Sequence, residues 1–135
     1  MPSAPGLFEL MYVSTLAPDE DPGIVAAIAA HARLANEMLG VTGLLVYDGH
    51  RFAQHLEGSE EAVTALYARI EADTRHTAVN LRHHGACGHR RYPQFSMGFS
   101  DIGNASALQE LEGLSGAAAL AAFAGIRNTV ELLYI

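Results

Sequence analysis

Residues 41–56 read VTGLLVYDGHRFAQHL, and this stretch decides the fold. Its first part, Val41–Tyr47, is short and almost wholly apolar, which is typical of a strand buried on both faces. Asp48-Gly49 is a strong signal for a tight turn between antiparallel strands. Arg51–Leu56 then returns as a second strand. The stretch therefore predicts a β-hairpin at the centre of a sheet.

One strand and one helix are predicted upstream of the hairpin. Leu7–Ser14 is a mostly apolar stretch with a loose alternation, and it reads as a strand. Asp21-Pro22 marks a helix start, because Asp can cap free N–H groups and Pro is tolerated in the first turn. That helix is expected to end near Leu39-Gly40. Its inward stripe consists of four residues at four-residue spacing: Ile24, Ile28, Ala32 and Asn36.

A second helix and two more strands are predicted downstream. Ser59 can cap the helix, which closes at Asp73–His76. The strands fall at Val79–Gly85 and Phe95–Ser100. The complete order predicts an α+β fold, a ferredoxin-like βαββαββ sheet with two helices on one face.

The other face of this sheet needs a cover, which the end of the chain can provide. Ala105–Glu112 and Ala117–Leu133 read as helical segments separated by Gly113–Gly116. We expect a folded core at residues 1–101 and a C-terminal helical extension at residues 102–135, packed on the sheet or on a partner.

Composition excludes several classes of protein. The chain has 135 residues, 50% of them apolar, and a net charge of −7, so we expect one folded domain that does not bind nucleic acid. The single cysteine, Cys87, suits a reducing cytosol. Met1–Gly6 lacks the features of a signal peptide, and no apolar run is long enough to cross a membrane. The expected location is the cytoplasm.

Three polar residues stand where the pattern asks for apolar ones. Tyr12 shares a strand face with Phe8 and Leu10, Gln54 lies between Phe52 and Leu56, and Asn36 ends the helix stripe. Each could be a structural residue with its own hydrogen-bond partner. Together, a phenol and two carboxamides around an apolar slot indicate a site for a flat heteroaromatic ligand.

The residues around these three resemble a known family. The motifs are Tyr12–Ser14, Asn36–Tyr47, Gly49–Gly58, Asp73–His76 and Tyr92–Phe99, in that order over roughly Leu7–Asp101. They resemble the BLUF domain, a family of blue-light sensors that use flavin. The resemblance implies a blue-light receptor that binds FAD non-covalently and is not an enzyme.

The resemblance also implies roles for individual residues. Tyr12 matches the electron-donating tyrosine, and Gln54 matches the glutamine that bridges this phenol to the flavin. Asn36 matches the asparagine at the pyrimidine edge of the ring. Met97 matches the methionine that senses the rearrangement of the glutamine. The other cofactor-binding residues implied are Ile28, Ala32, Phe52, Ile70, Arg75 and His76.

Two positions depart from the family pattern. Phe95 stands where many members have Trp, and its ring has no N–H to donate. Ala32 replaces a Ser found in some members, which removes one polar contact. Both changes leave the photochemical residues in place.

Other functions are weighed against this one. The seven histidines include adjacent His83 and His84, which point to opposite faces of a strand, and no cluster with metal-ligand spacing accompanies them. Basic neighbours could lower the pKa of Cys87, but a surface thiol without a redox role is the favoured interpretation. The fold alone would also suit an acylphosphatase-like enzyme, but no anion-binding loop follows Val13-Ser14. The main alternative is a flavin-free interaction module.

The end of the chain suggests how a signal leaves the sensor. The uncharged Ala117–Ala124 and the apolar Val130–Ile135 offer surface for a partner, so a homo-oligomer is expected. The 34 residues after Asp101 are too few for an effector domain. We therefore expect the signal to pass through Met97 and the C-terminal helices to an unidentified effector protein.

Overall fold

The computed structural model describes residues 6–21, 23–99, 106–128 and 131–133. Helices and strands follow one another along the chain in the predicted order, with one further strand at the end. The elements are β1 (Leu7–Leu16), α1 (Ile24–Leu39), β2 (Thr42–Tyr47), β3 (Arg51–Gly58), α2 (Glu60–Ala72), β4 (His76–Cys87), β5 (Phe95–Phe99), α3 (Ser106–Leu111), α4 (Gly116–Arg127) and β6 (Glu131–Leu133).

The strands form one sheet in the order β4-β1-β3-β2-β5-β6. Neighbouring strands are antiparallel except β2 and β5, which run parallel. The hairpin strands β2 and β3 lie at the centre, as the sequence predicts. Gln54 of β3 has Tyr12 of β1 and Leu45 of β2 as its partners across the strands. This register places the predicted polar residues beside the middle of the sheet.

Helices cover both faces of the sheet. Val63 and Leu66 of α2 pack with Tyr12 on one face, where Val25 of α1 is also buried. We call this the α1/α2 face. The opposite, α3/α4 face has an apolar core from both the strands and the two later helices: Met11, Val13, Leu44, Val46, Ala53, Leu108, Leu111, Ala119, Phe123 and Ile126. The predicted α+β, ferredoxin-like architecture is confirmed.

Most of the predicted turn and cap residues form the expected local contacts, but the predicted capping of α1 by Asp21 was wrong. The N-cap of α1 is Gly23, without a side-chain cap, and Asp21 Oδ1 accepts from the N–H of Gly23, which lies before the helix. Asp48 Oδ1 accepts hydrogen bonds from the backbone N–H groups of His50 and Arg51, at 2.9 and 2.7 Å, and so closes the hairpin turn. Ser59 Oγ accepts from the N–H of Ala62 at the start of α2. Gly40 ends α1 with φ +68°, a conformation that favours glycine.

The prediction for the C-terminal segment was wrong in one respect. The expected helix Ala117–Leu133 ends at Arg127, and Glu131–Leu133 forms β6 against β5. An unpaired β5 would have exposed a row of backbone N–H and C=O groups, and pairing with β6 satisfies them. The predicted boundary between residues 101 and 102 lies outside the described residues and stays a prediction. Among the described residues, the helices are too short or too polar to span a membrane.

Candidate functional site

A cavity of about 200 Å³ opens between α1, α2 and the centre of the sheet. Each of the nine residues that the sequence assigns to cofactor binding contributes to its lining. They are Tyr12, Ile28, Ala32, Asn36, Phe52, Gln54, Ile70, Arg75 and His76. The fold therefore brings together residues from four separate segments of the chain around one slot.

Six further lining residues were missed by the sequence analysis: His31, Ala35, Leu45, Leu66, Arg69 and Asp73. The signal for most of them was helical spacing. His31 and Ala35 lie three residues after Ile28 and Ala32, and so share their face of α1. Arg69 likewise follows Leu66 by one turn of α2. Leu45 could be found only from the strand register, which pairs it with Gln54.

Tyr12 and Gln54 form a buried hydrogen-bonded pair at the base of the cavity. Tyr12 Oη donates to Gln54 Oε1 at 2.6 Å. Burial, with smaller effects from Tyr67 and Asp73, raises the pKa of Tyr12 well above its usual value, so the phenol keeps its proton at neutral pH. Because Oε1 is already used, the Gln54 amide group still has two N–H donors to offer, and no described residue accepts them.

Asn36 is the clearest sign that the cavity is a ligand site. Its side chain is 1% exposed, yet neither Oδ1 nor Nδ2 has a hydrogen-bond partner among the described residues. An unsatisfied buried polar group costs about 1–3 kcal/mol. A ligand with a neighbouring donor and acceptor would satisfy both atoms at once. The pyrimidine edge of a flavin has such a donor and acceptors, so the residues present fit the group that the resemblance implies.

Arg75 and His76 line the cavity but are engaged by the protein itself. Arg75 donates through Nε and Nη2 to the carboxylate of Asp73, which lowers the pKa of that carboxyl. His76 Nε2 donates to the carbonyl of Ile70 at 2.6 Å, and its Nδ1 accepts from the hydroxyl of Ser14 at 2.9 Å. His76 thus holds the end of α2 against β1. Its role toward a cofactor stays a prediction.

Met97 lies behind the cavity wall rather than in it. It is 2% exposed and belongs to an apolar cluster with Leu45, Phe52 and Phe95. Leu45 and Phe52 line the cavity and Met97 does not, but Met97 is the cross-strand partner of Leu45. Phe95, the residue that replaces the family's Trp, is buried in the same cluster and adds only apolar contact there.

Outside the cavity, a cluster of two glutamates and a histidine and the single cysteine are weaker candidates for a functional site. Among the described residues, Glu9, His55 and Glu57 bring possible metal-ligand atoms within 4.8 Å of one another. Arg91 Nη1 already donates to both carboxylates, at 2.9 Å to Glu9 and 3.1 Å to Glu57. Burial and the nearby carboxylates raise the pKa of the Cys87 thiol, so its basic neighbours do not activate it.

Comparison with known proteins decides the family. The family model for BLUF, "Sensors of blue-light using FAD", matches residues 7–98. The chain belongs to the BLUF family. The matched residues include the whole cavity lining and Met97, and the BLUF domain is a flavin-binding sensor of blue light rather than a catalytic module.

Relatives and solved structures agree with the family model. A photoactivated adenylate cyclase subunit beta from Euglena longa is 38% identical over 101 residues, which is 73% of this chain and 12% of that protein. The dark-state structure of the BLUF protein BlrB superimposes with a TM-score of 0.72 at 30% identity, covering 87% of this chain and 92% of that one.

A structure of Klebsiella pneumoniae BlrP1 with FMN and cyclic diGMP gives a TM-score of 0.65 at 33% identity, over 83% of this chain and 31% of that one. The chain spans only about a tenth of the length of the first curated relatives that it matches. The resemblance to those relatives is therefore a resemblance of the BLUF portion alone.

Proposed function

We propose that the cavity binds FAD non-covalently and that blue light is registered as a change in the hydrogen bonds of Gln54. The observation that carries the proposal is the buried Tyr12–Gln54 pair, at 2.6 Å, beside the unpartnered amide of Asn36. The first provides a donor and a switchable bridge. The second provides a place to anchor the edge of a polar ring.

Binding would use the lining residues in different ways. Asn36 donates to and accepts from the pyrimidine edge of the ring. Ile28, Ala32, Phe52 and Ile70 form apolar walls that exclude water from the slot. Arg75 and His76 stand nearer the phosphate-bearing chain of the cofactor.

The photochemical step would be carried by two side chains. A bound flavin supplies a chromophore that becomes a strong oxidant when it absorbs blue light. Tyr12 then gives up an electron, and its phenolic proton leaves through Gln54 along the 2.6 Å hydrogen bond. Electron and proton return to Tyr12, and no bond to a substrate is made. Gln54 is left rotated or as its tautomer, with a different set of hydrogen bonds.

Burial of Tyr12 supports this coupling of electron and proton. A phenol whose pKa is raised by burial does not ionise beforehand, so its proton leaves only when the electron is withdrawn. Gln54 Oε1 is the acceptor that the structure places on the hydroxyl. A tyrosine without such an acceptor would be a poorer donor.

FAD rather than a shorter flavin is the cofactor we propose, although the relative BlrP1 has been solved with FMN. His31 of α1 and Arg69 of α2 both line the cavity, and both side chains are exposed. An exposed guanidinium beside the slot suits a diphosphate. Release of the chromophore by heat and chromatography against FAD, FMN and riboflavin standards checks this assignment.

The output would pass to another protein. Met97 lies on β5, whose other neighbour is β6, the strand that follows α4. A change at the cavity can therefore reach the C-terminal elements through β5, and from there an effector or a second copy of the chain. Photoactivated adenylate cyclases are examples of relatives whose names join light to an effector activity.

Absorption spectra of the purified protein in darkness and after blue light test the proposal. We expect the bands of oxidised flavin and a small red shift that reverses in the dark. A colourless protein that cannot be reconstituted with flavin would favour the alternative, an interaction module without cofactor.

A further inference from the structure

A chain of four buried or half-buried polar groups crosses the α3/α4 face of the sheet. Arg127 Nη1, in the last turn of α4, lies 3.3 Å from Tyr92 Oη, and its guanidinium stacks 5.7 Å from the centre of that ring. Tyr92 Oη lies 2.8 Å from His55 Nδ1. His55 Nε2 lies 2.9 Å from Glu9 Oε1. The groups come from α4, from the segment between β4 and β5, from β3 and from β1.

Chemistry fixes the direction of every hydrogen bond in this chain. Burial would raise the pKa of Glu9, but the hydrogen bond from His55 and the charge of Arg91 outweigh it and hold the pKa below its usual value. The carboxylate therefore accepts the Nε2–H of His55, and burial keeps His55 neutral by lowering its pKa. Nδ1 is then an acceptor for the Tyr92 hydroxyl, whose oxygen in turn accepts from Arg127.

His55 is also the neighbour of the photoactive glutamine in the sequence. Consecutive residues of a strand point to opposite faces, so Gln54 faces the cavity and His55 faces α4. Two side-chain hydrogen bonds thus join the same pair of strands, β1 and β3, on opposite faces. Tyr12–Gln54 is the bond on the cavity side, and Glu9–His55 is the bond on the far side.

The strand pairing around Tyr12 favours β3 as the route of a displacement. β1 keeps an unbroken register with β3 from Phe8 to Thr15. Its register with β4 shifts between Met11 and Tyr12 and again between Val13 and Thr15. At Tyr12, β1 is therefore paired regularly with β3 and irregularly with β4.

We propose that His55 and Tyr92 are positioning residues that carry a change in the Tyr12–Gln54 hydrogen bond through the sheet to the last turn of α4. The inference rests on the proposed function of Gln54. When Gln54 reorients, the bond between β1 and β3 on the cavity side is remade. The Glu9–His55 bond joins the same strands, and it passes the shift to Tyr92 and Arg127. The last turn of α4, which precedes β6, receives the signal.

Two other arginines, Arg51 and Arg82, tie the sheet to the C-terminal segment, and Arg51 provides a control. Arg51 Nε donates to Glu112 Oε1 at 2.9 Å, and Arg82 Nη1 donates to the carbonyl of Glu112 at 2.7 Å. Both bonds are exposed and lie just beyond the end of α3, away from Arg127. Loss of the Arg51 contact loosens the same helices without touching the proposed route.

The test is hydrogen exchange of the α4 backbone, followed by mass spectrometry, on the full flavin-loaded chain in darkness and under blue light. In the unmodified protein we expect the exchange of α4 to change at least twofold in the light. Tyr92→Phe keeps the aromatic ring at this position and removes only its hydroxyl. It should retain the flavin red shift while the light-induced change in α4 falls at least fivefold. Arg51→Gln should keep both responses.

Four results would overturn the inference. A wild-type response of α4 in Tyr92→Phe would assign this hydroxyl a structural role only, as would a change confined to the dark exchange rate. An α4 that does not respond to light in the unmodified protein, despite a normal red shift, would exclude the route. Loss of the red shift in the unmodified protein would instead overturn the proposed function and this inference together.

A measurement on the unmodified protein covers the case in which Tyr92→Phe does not fold. The ¹⁵N resonance of His55 Nδ1 reports whether this nitrogen accepts a hydrogen bond. We expect blue light to move it, and an identical resonance in darkness and light would contradict the route.

Discussion

The two faces of the sheet use buried polar groups in opposite ways. On the α3/α4 face, Glu9, His55 and Glu57 are each at most 4% exposed, and each has side-chain hydrogen bonds within the protein. On the α1/α2 face, both side-chain atoms of Asn36 lack a partner among the described residues, and the amide group of Gln54 has no acceptor there. The same strands supply residues to both arrangements.

The difference distinguishes a site from a structural network. Buried polar groups are normally satisfied, so a satisfied cluster indicates a role in folding or coupling within the protein. An unsatisfied cluster around a cavity costs stability, and binding of a ligand recovers that cost. The cavity face therefore needs a cofactor to be complete, whereas the opposite face does not.

The largest effect expected is complete loss of the light response when the Tyr12–Gln54 pair is removed. Tyr12→Phe deletes the donor hydroxyl and Gln54→Leu deletes the bridge, and both leave the apolar walls that hold the flavin. We expect a yellow protein with no light-induced red shift in either variant. Tyr67→Phe is the matched control, because Tyr67 packs on Tyr12 without a hydrogen bond to Gln54. An unaltered shift in Tyr12→Phe would exclude Tyr12 as the donor.

The next largest effect is on folding, on the opposite face. Glu57 is 0% exposed and accepts from the backbone N–H groups of Arg91 and Tyr92 and from the Arg91 guanidinium. Glu57→Leu should lower the free energy of unfolding by about 2–4 kcal/mol, since it leaves the two backbone N–H groups without an acceptor, at about 1–3 kcal/mol for each unsatisfied group, while Arg91 keeps its ion pair with Glu9. Urea denaturation measures this. Glu112→Gln, which breaks an exposed ion pair with Arg51, should cost at most about 1 kcal/mol.

Replacing Asn36, whose amide is unsatisfied, should raise the free energy of unfolding of the flavin-free protein rather than lower it. Asn36→Leu removes two unpartnered polar atoms, so the flavin-free protein should gain about 1–3 kcal/mol of stability. The same change removes the anchor of the ring edge and should weaken flavin binding tenfold to a hundredfold. Denaturation of the flavin-free protein and fluorescence titration with flavin measure the two effects. A flavin-free variant less stable than the parent would show that Asn36 has a structural role instead.

The smallest effect is the dependence of stability on pH. Burial lowers the pKa of His55, so the unfolded chain binds a proton near pH 6.5 that the folded protein does not. Stability should therefore fall as the pH drops from about 6.5 toward the folded-state pKa, by at most about 1.4 kcal/mol per pH unit. The groups that face His55 are Glu9, Glu57, Arg91, Tyr92 and, through Tyr92, Arg127.

Urea denaturation at a series of pH values separates the contribution of His55 to the pH dependence of stability from that of other groups. His55→Gln should flatten the slope in that window, and substitution of exposed His89 by Gln should leave it unchanged. Glu9 contributes in a different window, because its lowered pKa makes its stabilisation disappear only as the pH falls below 4.5. A slope that persists in His55→Gln would assign the pH dependence to another group.

The cavity residues could be predicted from sequence because each one breaks an apolar pattern. Tyr12, Asn36 and Gln54 lie on faces that otherwise point inward, so their periodicity revealed them before any contact was known. The family motifs then supplied Met97 and the basic residues after α2. Helix spacing contained the signal for His31 and Arg69 as well, since each lies one turn after an inward-facing residue.

The opposite face could not be predicted in the same way. Glu9 and Glu57 lie near the ends of strands, where a glutamate ordinarily reads as exposed. They are buried because Arg91, 34 residues after Glu57 in the chain, donates hydrogen bonds to both carboxylates, and because α3 and α4 cover the sheet. β6 was missed for a related reason, since its pairing depends on where β5 lies in the sheet.

The side-chain amide of Gln54 gives the most direct test of the proposal that blue light changes the hydrogen bonds of this residue. With ¹⁵N-labelled glutamine, its resonances can be recorded by NMR in darkness and under continuous blue light, and assigned by comparison with Gln54→Leu. We expect the Nε2 resonance to move in the light and to return in darkness at the rate at which the flavin absorption recovers. A Gln54 resonance that stays in place while the flavin band shifts would contradict it.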